Sequence, residues 1–157
     1  MDATRREVLK TGGGLTLLSL VAAAGWLRPG NALAEEWNKA AFEAKTLDDT
    51  MKALGGSAPA QSKDIAFVAT PDIAENGAVV PIGITSSIPK TESIAILIEK
   101  NPNMLAAVFD IPQGTEPAIN TRVKMGQSSN VYALVKADGK YYSAVKEIKV
   151  TLGGCGG

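Results

Sequence analysis

Short apolar runs separated by turn residues fill most of the chain after residue 63, and their spacing restricts the fold more than any other feature. Seven runs of strand length lie between residues 63 and 151, at intervals of about ten residues, with no helical periodicity between them. They cover 65–69, 78–86, 93–99, 104–111, 118–125, 131–137 and 140–151. The spacing predicts an all-β fold, an immunoglobulin-like antiparallel β-sandwich over 63–151.

Individual runs carry more specific signals. Asp138-Gly139, between the last two runs, is typical of a two-residue hairpin turn. Pro81 cannot donate a backbone hydrogen bond, so the 78–86 strand is predicted at a sheet edge or at a bulge. The alternation within 118–125 places four side chains on one face of that strand, namely Ile119, Thr121, Val123 and Met125.

Side chains of the later strands divide into predicted core and predicted surface. Phe109, Val131 and Val135 are predicted core residues. The packing groups of the last strand are predicted to be Tyr141, Tyr142, Val145, Ile148 and Val150. Four lysines are interpreted as a solvated face, with the docking of a partner as the alternative: Lys136, Lys140, Lys146 and Lys149.

A short N-terminal helical segment is predicted over residues 35–56. Apolar side chains recur there at broadly helical spacing. Thr46 precedes two acidic residues, as a helix N-cap does, and Gly55-Gly56 is typical of a helix end. We expect one helix, or two short helices broken near Thr46. Trp37 and Phe42 are interpreted as the edge of the core, with a partner-facing patch as the alternative.

Residues 1–34 predict an export signal. Arg5 and Arg6 open the segment, an apolar stretch follows, and Ala32-Leu33-Ala34 matches a signal-peptidase site. The apolar stretch is shorter than the roughly 20 residues that span a bilayer, so we expect no membrane anchor. The opening resembles a twin-arginine signal, with Val8 in place of phenylalanine. We therefore expect cleavage after Ala34 and a mature protein in the periplasm.

The chain ends in four glycines around its only cysteine, as Gly153-Gly154-Cys155-Gly156-Gly157. Glycine is unfavourable in helices and strands, so residues 152–157 are predicted to form a flexible arm. An extended arm of this length reaches about 15 Å. Cys155 is the candidate site of covalent attachment, and an incidental cysteine in a disordered tail is the alternative.

Several functions are excluded by the residues that the sequence lacks. With no histidine and one cysteine, the chain has too few ligands for structural zinc, attached haem or a cysteine-ligated iron–sulfur cluster. A Ser-His-Asp or Cys-His site is excluded as well, and we expect no catalytic residues, metal or cofactor. Removing residues 1–34 leaves 12 basic and 14 acidic side chains, which does not favour nucleic-acid binding. An ordinary thiol without a neighbouring base needs activation by other proteins, which favours a carrier over an enzyme.

The glycine-flanked Cys155, behind a small predicted sandwich and a twin-arginine signal, resembles the SoxY family, the sulfur-carrier subunits of the thiosulfate-oxidising Sox system. The likeness covers the whole chain, and residues 153–157 are its most specific part. The resemblance implies that Cys155 carries thiosulfate-derived sulfur intermediates. It also implies a heterodimer with a SoxZ-like small β-sandwich subunit, and action by a haem-containing cytochrome, a sulfate-releasing hydrolase and a sulfur dehydrogenase.

The residues leave three other interpretations open. A ubiquitin-like sulfur carrier also ends in Gly-Gly, but it carries sulfur on its terminal carboxylate and leaves Cys155 unexplained. A structural protein would form an intermolecular disulfide through Cys155. A non-catalytic periplasmic binding module would carry the tail without using it.

Overall fold

The computed structural model describes residues 38–151, which contain two short helices and nine strands. The helices are α1 (Lys39–Glu43) and α2 (Leu47–Ala53). The strands are β1 (Ala60–Gln61), β2 (Ile65–Val68), β3 (Ile73–Ala74), β4 (Val80–Ser86), β5 (Thr91–Ile98), β6 (Leu105–Asp110), β7 (Ala118–Val123), β8 (Ser129–Ala137) and β9 (Lys140–Val150). Trp37 lies outside the described residues, as do the predicted export signal and the predicted arm.

Two sheets form the predicted sandwich. The larger sheet has the order β1-β9-β8-β5-β6, with β3 also paired to β9, and the smaller sheet has the order β2-β4-β7. The long strands pair antiparallel throughout. The immunoglobulin-like antiparallel fold is confirmed. The two shortest strands, β1 and β3, were not predicted, and both run parallel to β9.

The core between the two sheets comes from alternating branched side chains. Ile82 and Ile84 of β4 meet Ile94 and Ile96 of β5, and all four are fully buried. Val131 and Val135 are fully buried as well, and Phe109 packs against this cluster, so their predicted core positions are confirmed. Burial of such side chains is the main favourable term in folding, at about 25 cal/mol per Å².

The helices cover the opposite face of the larger sheet. Leu97 and Leu134 point to that face and pack with Ala41 of α1 and Met51 of α2, all nearly or fully buried. Strand β5 therefore has both faces covered, which explains its continuous buried run from Ile94 to Ile98. The helical segment is a third layer of the domain.

The helical segment is two helices, broken where the sequence places an N-cap. The Thr46 hydroxyl accepts a hydrogen bond from the Asp49 N–H at 3.1 Å, which starts α2. At the other end Gly55 has a φ of 73°, and the Gly56 N–H donates to the Met51 carbonyl at 2.9 Å. This is a Schellman ending, which needs a residue that tolerates positive φ after the cap.

The Asp138-Gly139 turn is confirmed, because both residues have positive φ (49° and 72°) between paired β8 and β9. The edge prediction for Pro81 is wrong for the strand as a whole, since β4 is the central strand of the smaller sheet. Strand β2 pairs only with Gly83 to Ser86, so Pro81 has β7 on one side and no strand partner on the other. The missing N–H therefore interrupts no ladder.

Two surface predictions for β9 need correction. Val145 was predicted to pack, but it is 44% exposed. The apolar cluster beneath the helices includes Tyr132 and Tyr141 but not Val145, so this side chain lies beyond the area that the helices cover. Lys146 was predicted as part of a solvated face, yet its side chain is only 22% exposed and contacts the 70–72 segment.

Candidate functional site

The residues predicted to carry the function lie outside the described part of the chain. These are Cys155, the arm residues Gly153, Gly154, Gly156 and Gly157, the signal residues Arg5 and Arg6, and the cleavage residue Ala34. Thr151 is the last described residue and precedes Cys155 by four positions. The described portion of the candidate site is therefore the end of β9, which connects the sandwich to Cys155.

The last residues of β9 extend past the start of β8. The β8–β9 pairing reaches Ser129 opposite Ile148, which leaves Lys149–Thr151 without a backbone partner from β8. On this side the Val150 N–H donates instead to the Ser128 hydroxyl, at 2.9 Å. A side-chain oxygen thus takes the place of a strand carbonyl. We call Lys149–Thr151 the root segment.

Strand β3 and its neighbours hold the other side of the root segment. The Lys149 N–H donates to the Asp72 carbonyl at 2.9 Å, and the Thr151 N–H donates to the Ala74 carbonyl at 3.1 Å. The Thr151 hydroxyl donates to the Glu75 carbonyl, also at 3.1 Å. Backbone groups that are bonded on both edges cannot fray independently, so the root segment is fixed to the sandwich.

Lys146 connects β9 to the chain that enters β3. Its ammonium group donates to the Thr70 carbonyl at 2.6 Å and lies 3.0 Å from an Asp72 carboxylate oxygen. Thr70 is itself held by the smaller sheet, because its hydroxyl accepts from the Gly83 N–H at 3.0 Å. Lys146 of the larger sheet therefore contacts residues 70–72, which are also bonded to the smaller sheet and lead into the strand that pairs with the root segment.

The hairpin end of β9 has a different set of charges. The Gly139 N–H donates to a Glu92 carboxylate oxygen at 3.0 Å, and Lys136 lies 3.3 Å from the other oxygen. The Gly139 hydrogen bond and then Lys136 hold the pKa of Glu92 below its usual range. Burial raises the pKa of Tyr141, whose hydroxyl donates to the Leu54 carbonyl at 3.0 Å. These residues stabilise the β8–β9 hairpin and the packing of the helices on the larger sheet, and they lie at the end of β9 opposite to the root segment.

A cavity of about 650 Å³ also lies at the hairpin end. Its lining includes Ser86, Ile88, Thr91, Ile111 and Pro117. Strand β9 has 11 residues at about 3.3 Å each, so more than 30 Å separates this end from the root segment. That distance exceeds the reach of a thiol four residues beyond Thr151, so the cavity is not part of the candidate site.

Neither a metal site nor a membrane-spanning helix occurs in the part of the chain that the structure describes. Residues 38–151 contain no group of three or more potential metal ligands. Within the same range, neither helix is long and apolar enough to cross a bilayer.

Sequence reasoning missed the residues that hold the root segment. Strand β3 has two residues, and a run that short has no detectable periodicity. Ser128 lies in a polar stretch typical of a loop, where one hydroxyl cannot be distinguished from its neighbours. Lys146 was grouped with three other lysines, because the sequence does not show which of them faces a carbonyl across the sandwich.

The sequence and the fold of the chain both resemble those of known proteins. The family model "Sulfur oxidation protein SoxY" matches residues 50–155. The structure of the sulfur carrier protein SoxY from Chlorobium limicola f thiosulfatophilum is 40% identical in sequence. The alignment covers 68% of this chain and 96% of the Chlorobium chain, with a TM-score of 0.60. A comparison with curated proteins found no match.

Other solved structures are more distant. The endo-beta-1,4-mannanase from Thermotoga petrophila is 11% identical, covers 66% of this chain and 22% of its own, and has a TM-score of 0.43. The human F-spondin reeler domain is 9% identical and has a TM-score of 0.40. Its alignment covers 61% of this chain and 94% of the reeler-domain chain. The family match and the Chlorobium structure decide the assignment: the chain belongs to the SoxY family of sulfur-oxidation proteins.

Proposed function

We propose that the protein is a periplasmic sulfur carrier that holds thiosulfate-derived sulfur on the Cys155 thiol. The observation that carries this proposal is the family match, which extends to residue 155, the only cysteine of the chain. The Chlorobium relative is a sulfur carrier protein by name, and it covers two thirds of this chain at 40% identity. In this role the protein is acted on by partner enzymes and is not itself an enzyme.

The anchored root segment supports a carrier arm over residues 152–157. Thr151 is bonded to Ala74 and Glu75, so its position in the sandwich is defined. Cys155 lies four positions beyond it, which corresponds to about 14 Å of extended chain. We propose that the thiol enters the active sites of partner enzymes over this distance, while the glycines leave it without bulky neighbours.

The first proposed step joins thiosulfate to the thiol. The Cys155 thiol loses its proton, and a sulfur–sulfur bond forms between Sγ and the outer sulfur of thiosulfate. The two electrons released pass to a haem-containing cytochrome. The product is a cysteine S-thiosulfonate, which is stable as a covalent conjugate until a second enzyme acts on it.

The following steps release the cargo. A hydrolase adds water to the sulfone sulfur, breaks its bond to the neighbouring sulfur and releases sulfate, which leaves a persulfide on Cys155. A sulfur dehydrogenase oxidises the outer persulfide sulfur to a sulfonate; three water molecules supply the oxygen atoms, and six electrons pass to an electron acceptor of that enzyme. A second hydrolysis breaks the sulfur–sulfur bond, releases sulfate and frees the thiol. The protein contributes the attachment atom and its position, and the partners contribute the chemistry.

The proposal includes a partner subunit and an exported location. A SoxZ-like small β-sandwich subunit forms the heterodimer. The Arg5-Arg6 motif and the Ala34 site support export by the twin-arginine route, which moves folded cargo. Co-elution of the mature chain with a second small subunit from periplasmic extract tests the heterodimer, and elution of the chain alone contradicts it.

Transfer of radiolabelled thiosulfate tests the carrier function. The mature chain is incubated with thiosulfate and a periplasmic extract of thiosulfate-grown cells, and the label bound to the protein is measured before and after reduction. We expect label that a reductant releases, and none on Cys155→Ser. Equal labelling of both proteins contradicts attachment at Cys155.

A further inference from the structure

We propose that Lys146 is a positioning residue that sets the length of the carrier arm by holding β3 against the root segment. The inference rests on the proposed function, because it concerns the point from which Cys155 extends. It assigns a role to a side chain that does not touch the cargo.

Strand β3 has little stability of its own. It contributes two residues to its pairing with β9, and the Ile73 side chain is 58% exposed. Ala74 is buried, but it provides a single methyl group. A two-residue parallel ladder on a sheet edge is too short to persist without additional contacts.

Lys146 supplies those contacts directly before β3. Its ammonium group bonds the Thr70 carbonyl and pairs with Asp72, whose own carbonyl accepts from the Lys149 N–H. Because the Lys146 side chain is mostly buried, its hydrogen bond is only weakly screened by solvent. The same two contacts thus position the Asp72 carbonyl, which accepts the hydrogen bond from the Lys149 N–H.

Without Lys146, the last residue of β9 that is hydrogen-bonded to the sandwich should lie earlier in the chain. Without its contacts, the Lys149 and Thr151 N–H groups lose the acceptors that Asp72 and Ala74 present. Val150 stays bonded to the Ser128 hydroxyl, so it becomes the last residue of β9 that is held to the sandwich. Thr151 would join the three residues that precede Cys155, adding about 3 Å of reach. Effective concentration falls as roughly the −3/2 power of tether length, so delivery to a fixed pocket should fall to about 0.7 of its value.

Hydrogen exchange on the full mature chain tests the proposal, read by mass spectrometry on peptides covering 140–151. We expect Lys146→Met to speed exchange at Lys149 and Thr151 about tenfold, the factor associated with loss of a charge-assisted hydrogen bond. Exchange at 141–147 should stay unchanged. Lys146→Arg should restore slow exchange. Lys140→Met is the matched control, since Lys140 is exposed at the other end of β9.

Each alternative outcome overturns the proposal. Unchanged exchange at Lys149 and Thr151 would show that β3 stays paired with the root segment when Lys146 is absent. A uniform increase along β9 shows a structural role with no specific effect on the root. Should Lys146→Met not fold, Asp72→Ala removes one of the two contacts and leaves the core intact, because that side chain is 88% exposed. Faster exchange at Lys149 is then expected, and unchanged exchange there overturns the proposal. Thiosulfate labelling of the same samples reports on Cys155 separately, so a failure of this inference is distinguishable from a failure of the carrier function.

Discussion

The Ser128 hydroxyl accepts a hydrogen bond from the Val150 N–H at 2.9 Å, at the point where β9 has passed the first residue of β8. A loop side chain therefore continues the ladder for one more residue. With β3 on the opposite edge, this contact defines where the sandwich ends and the candidate arm begins.

Ser128→Ala should loosen the root segment. The Val150 N–H would lose its acceptor, which costs about 1 kcal/mol when the group stays shielded from water. We expect faster exchange at Val150 and a slightly lower midpoint in urea unfolding. Ser57→Ala is the control, because Ser57 is exposed and forms no hydrogen bond within residues 38–151. Equal effects of the two substitutions would contradict the role of Ser128.

Tyr141→Phe should weaken the attachment of the helices to the larger sheet. The substitution removes the hydroxyl that donates to the Leu54 carbonyl at 3.0 Å and leaves the ring in place. The expected loss is about 0.5–1.5 kcal/mol in the free energy of unfolding, measured by denaturant titration. Tyr142→Phe is a matched control, since the Tyr142 hydroxyl bonds to no group in the described range. A loss for Tyr142→Phe as large as for Tyr141→Phe would argue against the Leu54 contact.

Gly56→Ala should destabilise the domain through overpacking. A methyl group at this position would collide with the Tyr141 ring and come within 2.8 Å of the Met51 side-chain methyl. Gly56 has an ordinary φ, so backbone strain does not contribute. Overpacking of this kind costs about 1–3 kcal/mol. A calorimetric melting temperature equal to that of the unmodified protein would show that the helices shift freely to make room.

Stability should fall in acid partly through Glu92. Because Gly139 and Lys136 lower the pKa of Glu92 in the folded state, the ionised form favours folding. This contribution is complete above the ordinary glutamate pKa and is lost as pH falls through the lowered folded value. Glu92→Gln should therefore reduce stability at neutral pH and make the melting temperature less dependent on pH below about 4.5. Parallel melting curves for the two proteins across pH 3 to 7 would contradict this expectation.

The sequence was informative where a signal repeats or where one residue type is required. The alternation of Ile119, Thr121 and Val123 and the turn at Asp138-Gly139 predicted a strand and a hairpin that the structure contains. The Thr46 N-cap identified the break between the helices, because capping is a local interaction of neighbouring residues.

Long-range contacts were not predictable. Thr70 and Lys146 are 76 residues apart in the chain, and no local pattern indicates that they meet. Val145 was predicted to pack from its residue type, but residue type does not show how far the helices extend over the face of the larger sheet. The candidate site was predicted from the glycine-flanked cysteine and the family resemblance, and its residues 152–157 lie outside the part that the structure describes.

The most direct test of the account is the mass of the C-terminal peptide from protein isolated from cells growing on thiosulfate, before and after reduction. The account predicts reducible sulfur or thiosulfonate adducts on the fragment that contains Cys155, and their absence from Cys155→Ser. An unmodified thiol, or only a symmetric Cys155–Cys155 dimer, would contradict a carrier function and favour a binding or structural module.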